Sequence, residues 1–406
     1  MNSNPPIVDV RETGTSLVFS AIRQMSPVPR IDIASATGFS PATVTSITAD
    51  LINRGLIEEV AASPQLVNAK RGRPRVNLKI RGAAHLVAGM KLSDKLATVT
   101  IADFDGKRIA DFSNPSDVTI RSAAQVTEFL SETLSLALEN AKLKQQNLSG
   151  VGIGLPGVID ANTGHIFWSP TLLERDVPLK KMLHGKLGLP VFLDNDANLV
   201  AIAEQRFGLG KNARNFIVVS VEQGVGMGIV IDGKLYRGNH GCGAELGHTK
   251  VQLDGALCRC GQRGCLEAYI GDYALLREAS TSLELPASAT SEEQMEQLLA
   301  KVKSGDVVAK TIVRRAGRMF AVGLANVVNI FAPELIILSG ERMQHNYLFN
   351  EEMINEMKKS IVQTGGPPPE VAVHEWGDQM WAMGAAAFAI DGITDGILRD
   401  TASYVA

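Results

Sequence analysis

Apolar residues recur at helical spacing in three short segments of the first sixty residues. In "TSLVFSAIRQM" the residues predicted to share one buried stripe are Leu17, Val18, Ala21, Ile22 and Met25. The segment "PRIDIASATG" predicts a second, short helix that ends at Gly38. A third helix follows within a few residues. Three short helices in this order predict a helix-turn-helix unit.

The third segment, "FSPATVTSITADLINRGLIEEV", has a well-defined start and end. Ser40 is placed to cap the helix, Pro41 suits its first position, and Gly55 ends it. The residues predicted to face inward are Val44, Ile47, Leu51 and Ile52. The small and polar residues predicted to face outward are Ala42, Thr43, Thr45, Ser46, Ala49 and Asn53. Such a face is accommodated by the major groove of DNA.

Two predicted strands then enclose a basic loop, in "LIEEVAASPQLVNAKRGRPRVNLKI". The loop carries Lys70, Arg71, Arg73 and Arg75, with no acidic residue from 70 to 81. This pattern is typical of a wing that contacts the DNA backbone, with Arg71 and Arg73 able to enter a minor groove. The alternative is a solvated basic loop on a small protein-binding domain. The candidate DNA contacts are Ser40, Ala42, Thr43, Thr45, Ser46, Lys70, Arg71, Arg73 and Arg75.

From about residue 83 the pattern becomes alternating strands and helices. "AGMKLSDKLATVTIADFDGKRIAD" predicts strand, turn, strand, Asp-Gly hairpin and strand. "NFIVVSVEQGVGMGIVIDGKLYRG" repeats this order 127 residues later, counted from Asp105 to Asp232. Near the end, "TIVRRAGRMFAVGLANVVNIFAPELIILSG" predicts a long buried helix and a buried strand. A duplicated unit of this kind predicts two related α/β lobes with a cleft between them.

Composition and charge support a division between a basic arm and an acidic body. Residues 1 to 82 carry ten Lys and Arg against six Asp and Glu, although the net charge of all 406 residues is -3. No run of 18 uncharged apolar residues is present, and "MNSNPPIVDVRE" lacks the basic and apolar pattern of a signal peptide. We therefore expect a soluble, cytoplasmic protein without membrane insertion.

Three of the four cysteines cluster in "GHTKVQLDGALCRCGQRGCLEA", residues 247 to 268. In a cytoplasmic chain, clustered cysteines favour metal ligation over disulfides. Cys258, Cys260 and Cys265 with His248 supply the four N/S ligands of a tetrahedral zinc, and the intervening glycines allow a tight loop. With no position for a water nucleophile, the zinc is expected to be structural, one per chain. Two alternatives stay open: a reduced cluster without metal, or Cys242 in place of His248.

Four ordered motifs resemble those of one family: "GVGIGLPGVID", "LDNDANLVAIAE", "GAELGHTKV" and "CRCGQRGCLEAY". They follow one another as in ROK proteins, and the N-terminal unit resembles that of the xylose-repressor and N-acetylglucosamine-repressor branch. The resemblance implies an α/β fold: an N-terminal winged helix-turn-helix followed by an actin-like (ribonuclease H-like) two-lobed sugar-kinase fold. The implied domains are residues 1–82, residues 83–198 completed by a C-terminal helix at about 378–406, and residues 199–377.

The resemblance also implies a sugar site and assigns zinc to the same four ligands. The positions matching the family's sugar contacts are Gly157, Asn195, Asp196, Glu245, His248 and Glu267. Glu245 lies three residues before His248 and Glu267 two after Cys265, so a metal held there would also position both carboxylates. Where relatives carry an asparagine and a tryptophan near the sugar, this chain has Thr171 and Glu174.

The segments that match the family's nucleotide loops depart from the kinase pattern. The first phosphate loop is "KLSDKLAT", with no glycine from Lys91 to Thr98. The second has Glu222, Gln223 and Gly224 where kinases carry a Gly-Thr-Gly turn, and Ser339 precedes Gly340 where kinases have paired glycines. A carboxylate repels a triphosphate. Asp196 matches the catalytic base and is expected to be vestigial.

These observations predict a non-enzymatic, sugar-responsive repressor of carbohydrate genes. Its expected partners are double-stranded operator DNA, a sugar or sugar phosphate, and a second copy of itself, with a tetramer as an alternative. A different class of protein is an ATP-dependent sugar kinase with an added DNA-binding arm, in which Asp196 is the base. In a third, the cleft has lost its ligand and a partner protein controls the repressor.

Overall fold

The computed structural model describes residues 10–61, 76–93, 96–115, 120–222, 224–241, 243–286, 288–340, 350–363, 365–374, 377 and 379–399. The N-terminal unit contains α1 (Val10–Met25), β1 (Val28–Pro29), α2 (Arg30–Thr37), α3 (Pro41–Asn53), β2 (Ile57–Ala61) and β3 (Val76–Ile80). The strands form one small sheet in the order β1-β3-β2, with both neighbours of β3 antiparallel to it. Three helices and a β-hairpin therefore follow one another as the sequence predicts.

Helix α1 packs in two directions, which the single-stripe prediction missed. Val18 and Ile22 are fully buried, but Leu17 and Met25 are 48% and 38% exposed, so their predicted burial is wrong. Phe19 is buried instead, and its ring lies 5.9 Å from that of Phe104 in the following domain. Because α1 packs both against the N-terminal unit and against the first lobe, it buries a wider face than a single stripe of apolar residues.

Helix α3 begins and ends as predicted. The Ser40 hydroxyl accepts a hydrogen bond from the Thr43 backbone N–H, and Pro41 takes the first position. Val44 and Leu51 are fully buried, whereas Ile47 and Ile52 are only partly buried. The residues predicted to face outward are all exposed: Ala42, Thr43, Thr45, Ser46, Ala49 and Asn53.

The first lobe is a five-stranded mixed sheet with helices on both faces. Its strands are β4 (Leu86–Leu92), β5 (Leu96–Asp103), β6 (Arg108–Pro115), β7 (Leu148–Leu155) and β10 (Val191–Asn195), and its helices are α4 (Ala123–Asn140), α5 (Leu179–Leu187) and α12 (Gln379–Leu398). The order is β10-β7-β4-β5-β6. A separate small hairpin joins β8 (Val158–Asp160) and β9 (His165–Trp168). Helix α12 packs on β4 and β7 of this sheet.

The second lobe repeats the antiparallel three-strand unit. Its strands are β11 (Phe216–Val221), β12 (Val225–Ile231), β13 (Lys234–Tyr236), β14 (Leu335–Ser339) and β15 (Glu370–Val373), and its helices are α6 (Asp196–Phe207), α7 (Glu267–Ile270), α8 (Asp272–Ser282), α9 (Ser291–Ser304), α10 (Val307–Phe331) and α11 (Glu351–Ser360). The order β13-β12-β11-β14-β15 mirrors that of the first sheet. The Asp232-Gly233 hairpin has positive φ at both residues, as this turn requires.

Helices α6 and α12 pack against each other where the two lobes meet. Helix α6 lies on β11 and β12 of the second sheet, and α12 lies on the first sheet. A Cβ added to Gly384 of α12 would lie 2.0 Å from the backbone oxygen of Leu199 in α6, so the two backbones are in direct contact. The predicted division after residue 198 falls inside α6, and the division of the chain into domains stays a proposal.

Within the part of the chain that the structure describes, no helix has both the length and the apolar character needed to cross a membrane.

Candidate metal centre and inter-lobe site

Four predicted ligands come together in the second lobe. The ligand atoms of His248, Cys258, Cys260 and Cys265 all lie within 4.8 Å of one another. His248 Nδ1 is 3.7 Å from Cys258 Sγ, and Cys260 Sγ is 3.7 Å from Cys265 Sγ. Zinc–sulfur bonds of about 2.3 Å at tetrahedral angles place two sulfurs about 3.8 Å apart. The four side chains therefore fit a tetrahedral metal. Cys242, the alternative ligand, lies outside the described residues.

The loop between these ligands is shaped by short backbone hydrogen bonds and two glycines. The Cys258 N–H donates to the Gln262 carbonyl and the Gly261 N–H donates to the Cys258 carbonyl. Gly261 and Gly264 have φ of 87° and 76°, which L side chains rarely adopt. A Cβ at Gly264 would also lie 1.7 Å from the Gln252 backbone oxygen. The glycines that the sequence places between the ligands are thus required for the turn.

Lys250 provides a cation at this centre that the sequence motifs do not reveal. Its Nζ donates to Cys265 Sγ at 2.9 Å and to Gln262 Oε1 at 2.6 Å. Three thiolates around a divalent metal leave a net charge of −1, which a neighbouring ammonium offsets. Groups that hydrogen-bond metal ligands hold those ligands in place and tune their affinity for the metal.

We expect Lys250→Met to weaken zinc binding by about tenfold, because outer partners of metal ligands contribute on that order. Lys250→Arg keeps a cationic donor and is expected to retain most of the affinity. Competition against a chromophoric chelator measures both. Equal affinities of the Lys250→Met variant and the unaltered protein would show that the contact does not support the metal.

The two predicted carboxylates beside the cysteine cluster differ in their surroundings. Glu267 is buried at the start of α7; its Oε2 accepts from the Val225 N–H at 3.3 Å, and its Oε1 lies 3.7 Å from Cys258 Sγ. Glu245 is exposed directly before the short helical turn that carries His248. Partial loss of water around its carboxyl raises the pKa of Glu245; His248 lowers it, and Asp196 and Glu267 raise it. The two carboxylates therefore lie within range of each other and of Asp196.

Asn195 and Asp196 lie where β10 ends and α6 begins. The Asn195 side-chain oxygen accepts from the Ala197 N–H at 2.9 Å, and its Nδ2 donates to the Gly157 carbonyl at 2.8 Å. Most of the Asn195 amide is therefore engaged in holding the backbone, with one N–H left to bind a ligand. Burial raises the pKa of Asp196, while the Lys91 ammonium lowers it. Gly157 has φ of 127°, and a Cβ there would lie 2.2 Å from the Trp168 carbonyl oxygen.

A buried ion pair that the sequence did not reveal fixes the position of Asn195. Asp194 is fully buried and accepts from Arg237 Nε at 2.7 Å, from Asn198 Nδ2 at 2.8 Å and from the Asn195 N–H at 2.8 Å. Arg237 follows β13, so the pair joins the second lobe to the last strand of the first. The "DNDAN" motif contains Asp194, but only the fold identifies its partner 43 residues away.

The neighbourhood of Thr171 and Glu174 serves local structure. Thr171 is buried and its hydroxyl lies 2.9 Å from that of Ser169. Glu174 accepts a hydrogen bond from the Ala123 N–H at the start of α4. The backbone carbonyl of Trp168 lies next to Gly157, and the Trp168 side chain is 38% exposed. The sequence motifs do not single out this aromatic residue.

An ion pair between the sheets joins two segments that the sequence analysis predicts to match nucleotide loops. Lys91 of β4 is 3% exposed, and its Nζ lies 3.6 Å from Glu222 Oε2 at the end of β11. The same ammonium lies 4.0 Å from the centre of the buried Trp381 ring of α12. This contact joins two sheets and the helix between them. Gln223 lies outside the described residues.

Among the candidate DNA contacts, the structure describes only those on α3. Ser40, Ala42, Thr43, Thr45 and Ser46 are all exposed. The hydroxyl of Thr45 donates to the Pro41 carbonyl at 2.7 Å, so its oxygen faces the helix while its methyl group stays accessible. Lys70, Arg71, Arg73 and Arg75 fall between β2 and β3 and lie outside the described residues.

The architecture defines a class of two-lobed α/β proteins with an actin-like fold, preceded here by a helix-turn-helix unit. The chain belongs to the ROK family, whose family model matches residues 97–392. It is similar to the xylose repressor of Caldicellulosiruptor bescii, with 28% identity over 358 residues that cover 86% of this chain and 88% of that protein.

Two solved structures support the same assignment. A ROK family transcriptional regulator, described as a homologue of the E. coli MLC protein, matches with a TM-score of 0.80 and 26% identity over 96% of this chain and 98% of its own. A ROK hexokinase from Thermus thermophilus matches with a TM-score of 0.64 and 28% identity over 77% of this chain and 100% of its own. The predicted family and fold class are confirmed.

Proposed function

We propose that this protein is a cytoplasmic, sugar-responsive transcriptional repressor that binds operator DNA through its N-terminal unit. The observation that carries the proposal is the exposed, small-residue face of α3 on a unit docked against a sugar-kinase-like body. Relatives named as a xylose repressor and as a transcriptional regulator, matched over nearly the whole chain, support it. The DNA contacts in this proposal are the exposed α3 residues and the basic segment with Lys70, Arg71, Arg73 and Arg75.

The proposed sugar ligands are the acidic and amide groups at the inter-lobe site. Asp196, Glu245 and Glu267 offer carboxylate oxygens that accept hydrogen bonds from sugar hydroxyls, while Asn195 and the Gly157 loop provide the opposite wall. His248 and Cys265 would hold a structural zinc, and the metal would fix Glu245 and Glu267 through the short segments that join them. His248 would use one ring nitrogen for the metal and the other for the sugar.

The ion pair of Lys91 and Glu222 favours a sensor over a kinase. The two side chains form an ion pair and come from segments that resemble the family's phosphate loops, where a carboxylate would repel a triphosphate. Ser339, buried at the end of β14, replaces the first of a glycine pair at the adenosine position. We propose that Asp196 is a vestigial base and that the protein does not turn over ATP.

Sugar binding is proposed to release DNA by favouring a different arrangement of the lobes. A ligand shifts such an equilibrium only by its differential affinity, so the sugar must bind the DNA-incompetent arrangement more tightly. A homodimer would present two α3 helices to a two-fold operator, as paired helix-turn-helix units do.

The test combines DNA binding with turnover. Fluorescence anisotropy on DNA from the upstream region of the gene is measured with and without D-xylose, D-glucose and N-acetylglucosamine, each free and phosphorylated. We expect one of them to weaken DNA binding by about 5- to 150-fold, the range of ordinary allosteric coupling. A coupled ADP-release assay over the same sugars is expected to show no turnover.

Two results would contradict the proposal. Unchanged DNA affinity across the panel would remove the sugar response and favour control by a partner protein. Robust ADP release that Asp196→Asn abolishes would instead identify an active kinase with a DNA-binding arm.

A further inference from the structure

Three elements meet at one carboxylate far from the inter-lobe site. Asp391, on α12, accepts a hydrogen bond from Arg23 Nη1 at 3.1 Å through its Oδ1. The same oxygen accepts a hydrogen bond from Arg206 Nη2. Arg23 lies in the last turn of α1, and Arg206 lies in the last turn of α6. One acid thus joins the N-terminal unit, the C-terminal helix and the second lobe.

Helix α6 connects this junction to the inter-lobe site as one rigid element. It begins at Asp196, directly after the capping Asn195, and ends at Phe207. At 1.5 Å per residue, Arg206 lies about 15 Å along the helix from Asp196. Residues 197 to 204 are all buried, so the helix is held along most of its length. A displacement of its first turn therefore carries the last turn with it.

The packing of α12 leaves little room for α6 to move without affecting it. A Cβ at Gly384 would lie 2.0 Å from the Leu199 backbone oxygen of α6. On the other side, a Cβ at Gly152 of β7 would lie 1.9 Å from the Ala385 backbone oxygen of α12. Backbones in direct contact transmit displacement, because close-packed interiors are not compressible.

Among the anions near Arg23, Asp391 is the one it binds directly; its other terminal nitrogen donates to the Thr394 hydroxyl at 2.9 Å. The pKa of Arg23 is lowered to about 10, mainly by burial and then by Arg206, while Asp391, Asp105 and Asp395 act in the opposite direction. Its guanidinium carbon lies 4.8 Å from the Phe19 ring centre and 5.4 Å from that of Phe104. Within the described residues, its Nε has no hydrogen-bond partner. The charge therefore remains at neutral pH in an apolar setting, next to a second guanidinium.

We infer that Asp391 couples the inter-lobe site to the DNA-binding unit, because Arg23 and Arg206 compete for its Oδ1 atom. When α6 shifts on ligand binding, the hydrogen bond from Arg206 to Asp391 becomes stronger or weaker. The bond from Arg23 to Asp391 changes in the opposite direction, and with it the docking of α1 on α12. This inference rests on the proposed sugar response, for which it supplies the route between the two sites.

Competition predicts effects of opposite sign for two substitutions. Asp391→Asn removes the carboxylate that both guanidiniums bind directly and leaves Arg23 with the weaker influence of Asp105 and Asp395, so α1 is expected to open more often. Arg206→Met removes the competitor, so Arg23 binds Asp391 more firmly and α1 is expected to open less often. A structural role alone would make both variants looser. Arg214→Met is the matched control, because it breaks an exposed Arg–Asp pair with Asp232 away from this junction.

The first experiment measures how often α1 opens, by hydrogen exchange of its backbone amides in the sugar-free, full-length protein. Relative to Arg214→Met, we expect about tenfold faster exchange in Asp391→Asn and about threefold slower exchange in Arg206→Met, within the range of local opening free energies. Equal exchange in Arg206→Met and the control, or faster exchange in both variants, would overturn the inference.

The second experiment measures sugar affinity by calorimetry. It also measures DNA affinity with and without whichever of the tested sugars weakens DNA binding by the unaltered protein. Arg206→Met is expected to bind the sugar within about threefold of the unaltered protein while losing most of the sugar-induced drop in DNA affinity, as loss of coupling requires. A full drop in this variant would overturn the inference. If the unaltered protein responds to no sugar, the proposed function fails, and the exchange experiment alone decides whether Asp391 links α6 to α1.

Discussion

Cys258→Ser is expected to abolish stoichiometric zinc binding and the sugar response together. A hydroxyl is a much weaker zinc ligand than a thiolate, and Cys258 is buried beside His248 Nδ1 and Glu267 Oε1. Without the metal, the segments that carry Glu245 and Glu267 lose their common anchor. Zinc content by elemental analysis and sugar affinity by calorimetry measure the two effects, and we expect sugar affinity to fall at least about tenfold.

Cys242→Ser is the matched control, because it makes the same chemical change at the remaining cysteine. It is expected to keep one zinc per chain. Loss of zinc in Cys242→Ser, with zinc retained in a His248→Ala variant, would establish the four-cysteine alternative. A Cys258→Ser protein that lost zinc and kept its full sugar response would show that the metal does not position the carboxylates.

Gly384→Ala is expected to destabilise the protein by about 3 kcal/mol, at the upper end of the usual cost of overpacking. The added methyl group would lie 2.0 Å from the Leu199 backbone oxygen, and backbone cannot move aside as a flexible side chain can. Helices α6 and α12 would have to separate. Urea denaturation followed by circular dichroism measures the change in midpoint.

The control for this substitution is another glycine inside a helix. Gly185 of α5 has no atom within 4 Å of its would-be Cβ. Gly185→Ala is therefore expected to stabilise the protein by about 0.5–1 kcal/mol through helix propensity and reduced freedom of the unfolded chain. Similar destabilisation in both variants would mean that the loss reflects glycine replacement in general and not the contact between α6 and α12.

Local patterns predicted much of the fold because they depend on neighbouring residues. The Ser40 cap, the Asp-Gly hairpins and the cluster of one histidine and three cysteines are each encoded within a short segment, and the structure shows all three. The duplicated strand order was visible in the sequence because both lobes repeat the same hairpin unit. The family motifs then supplied the overall architecture.

The missed features depend on contacts between distant segments. Phe19 is buried because Phe104 lies against it, and no periodicity within α1 contains that information. Arg237 lies outside the quoted motifs and Lys250 lies inside "GAELGHTKV", but only the fold shows that each supplies a charge to a group at the candidate site. The roles of the candidate sugar and DNA residues stay predictions, because hydroxyl recognition and groove contacts require the ligand itself.

The ion pair between Lys91 and Glu222 has a consequence for what a cell can sense with this protein. Lys91 and Glu222 form an ion pair of the chain itself, and under the proposed function this pair lies where a kinase would bind the phosphates of its nucleotide. Under the proposed function, the position of the lobes is then independent of the ATP pool. Such a repressor would report the supply of a carbon source separately from the energy state of the cell, so that starvation for energy and abundance of sugar remain distinct signals.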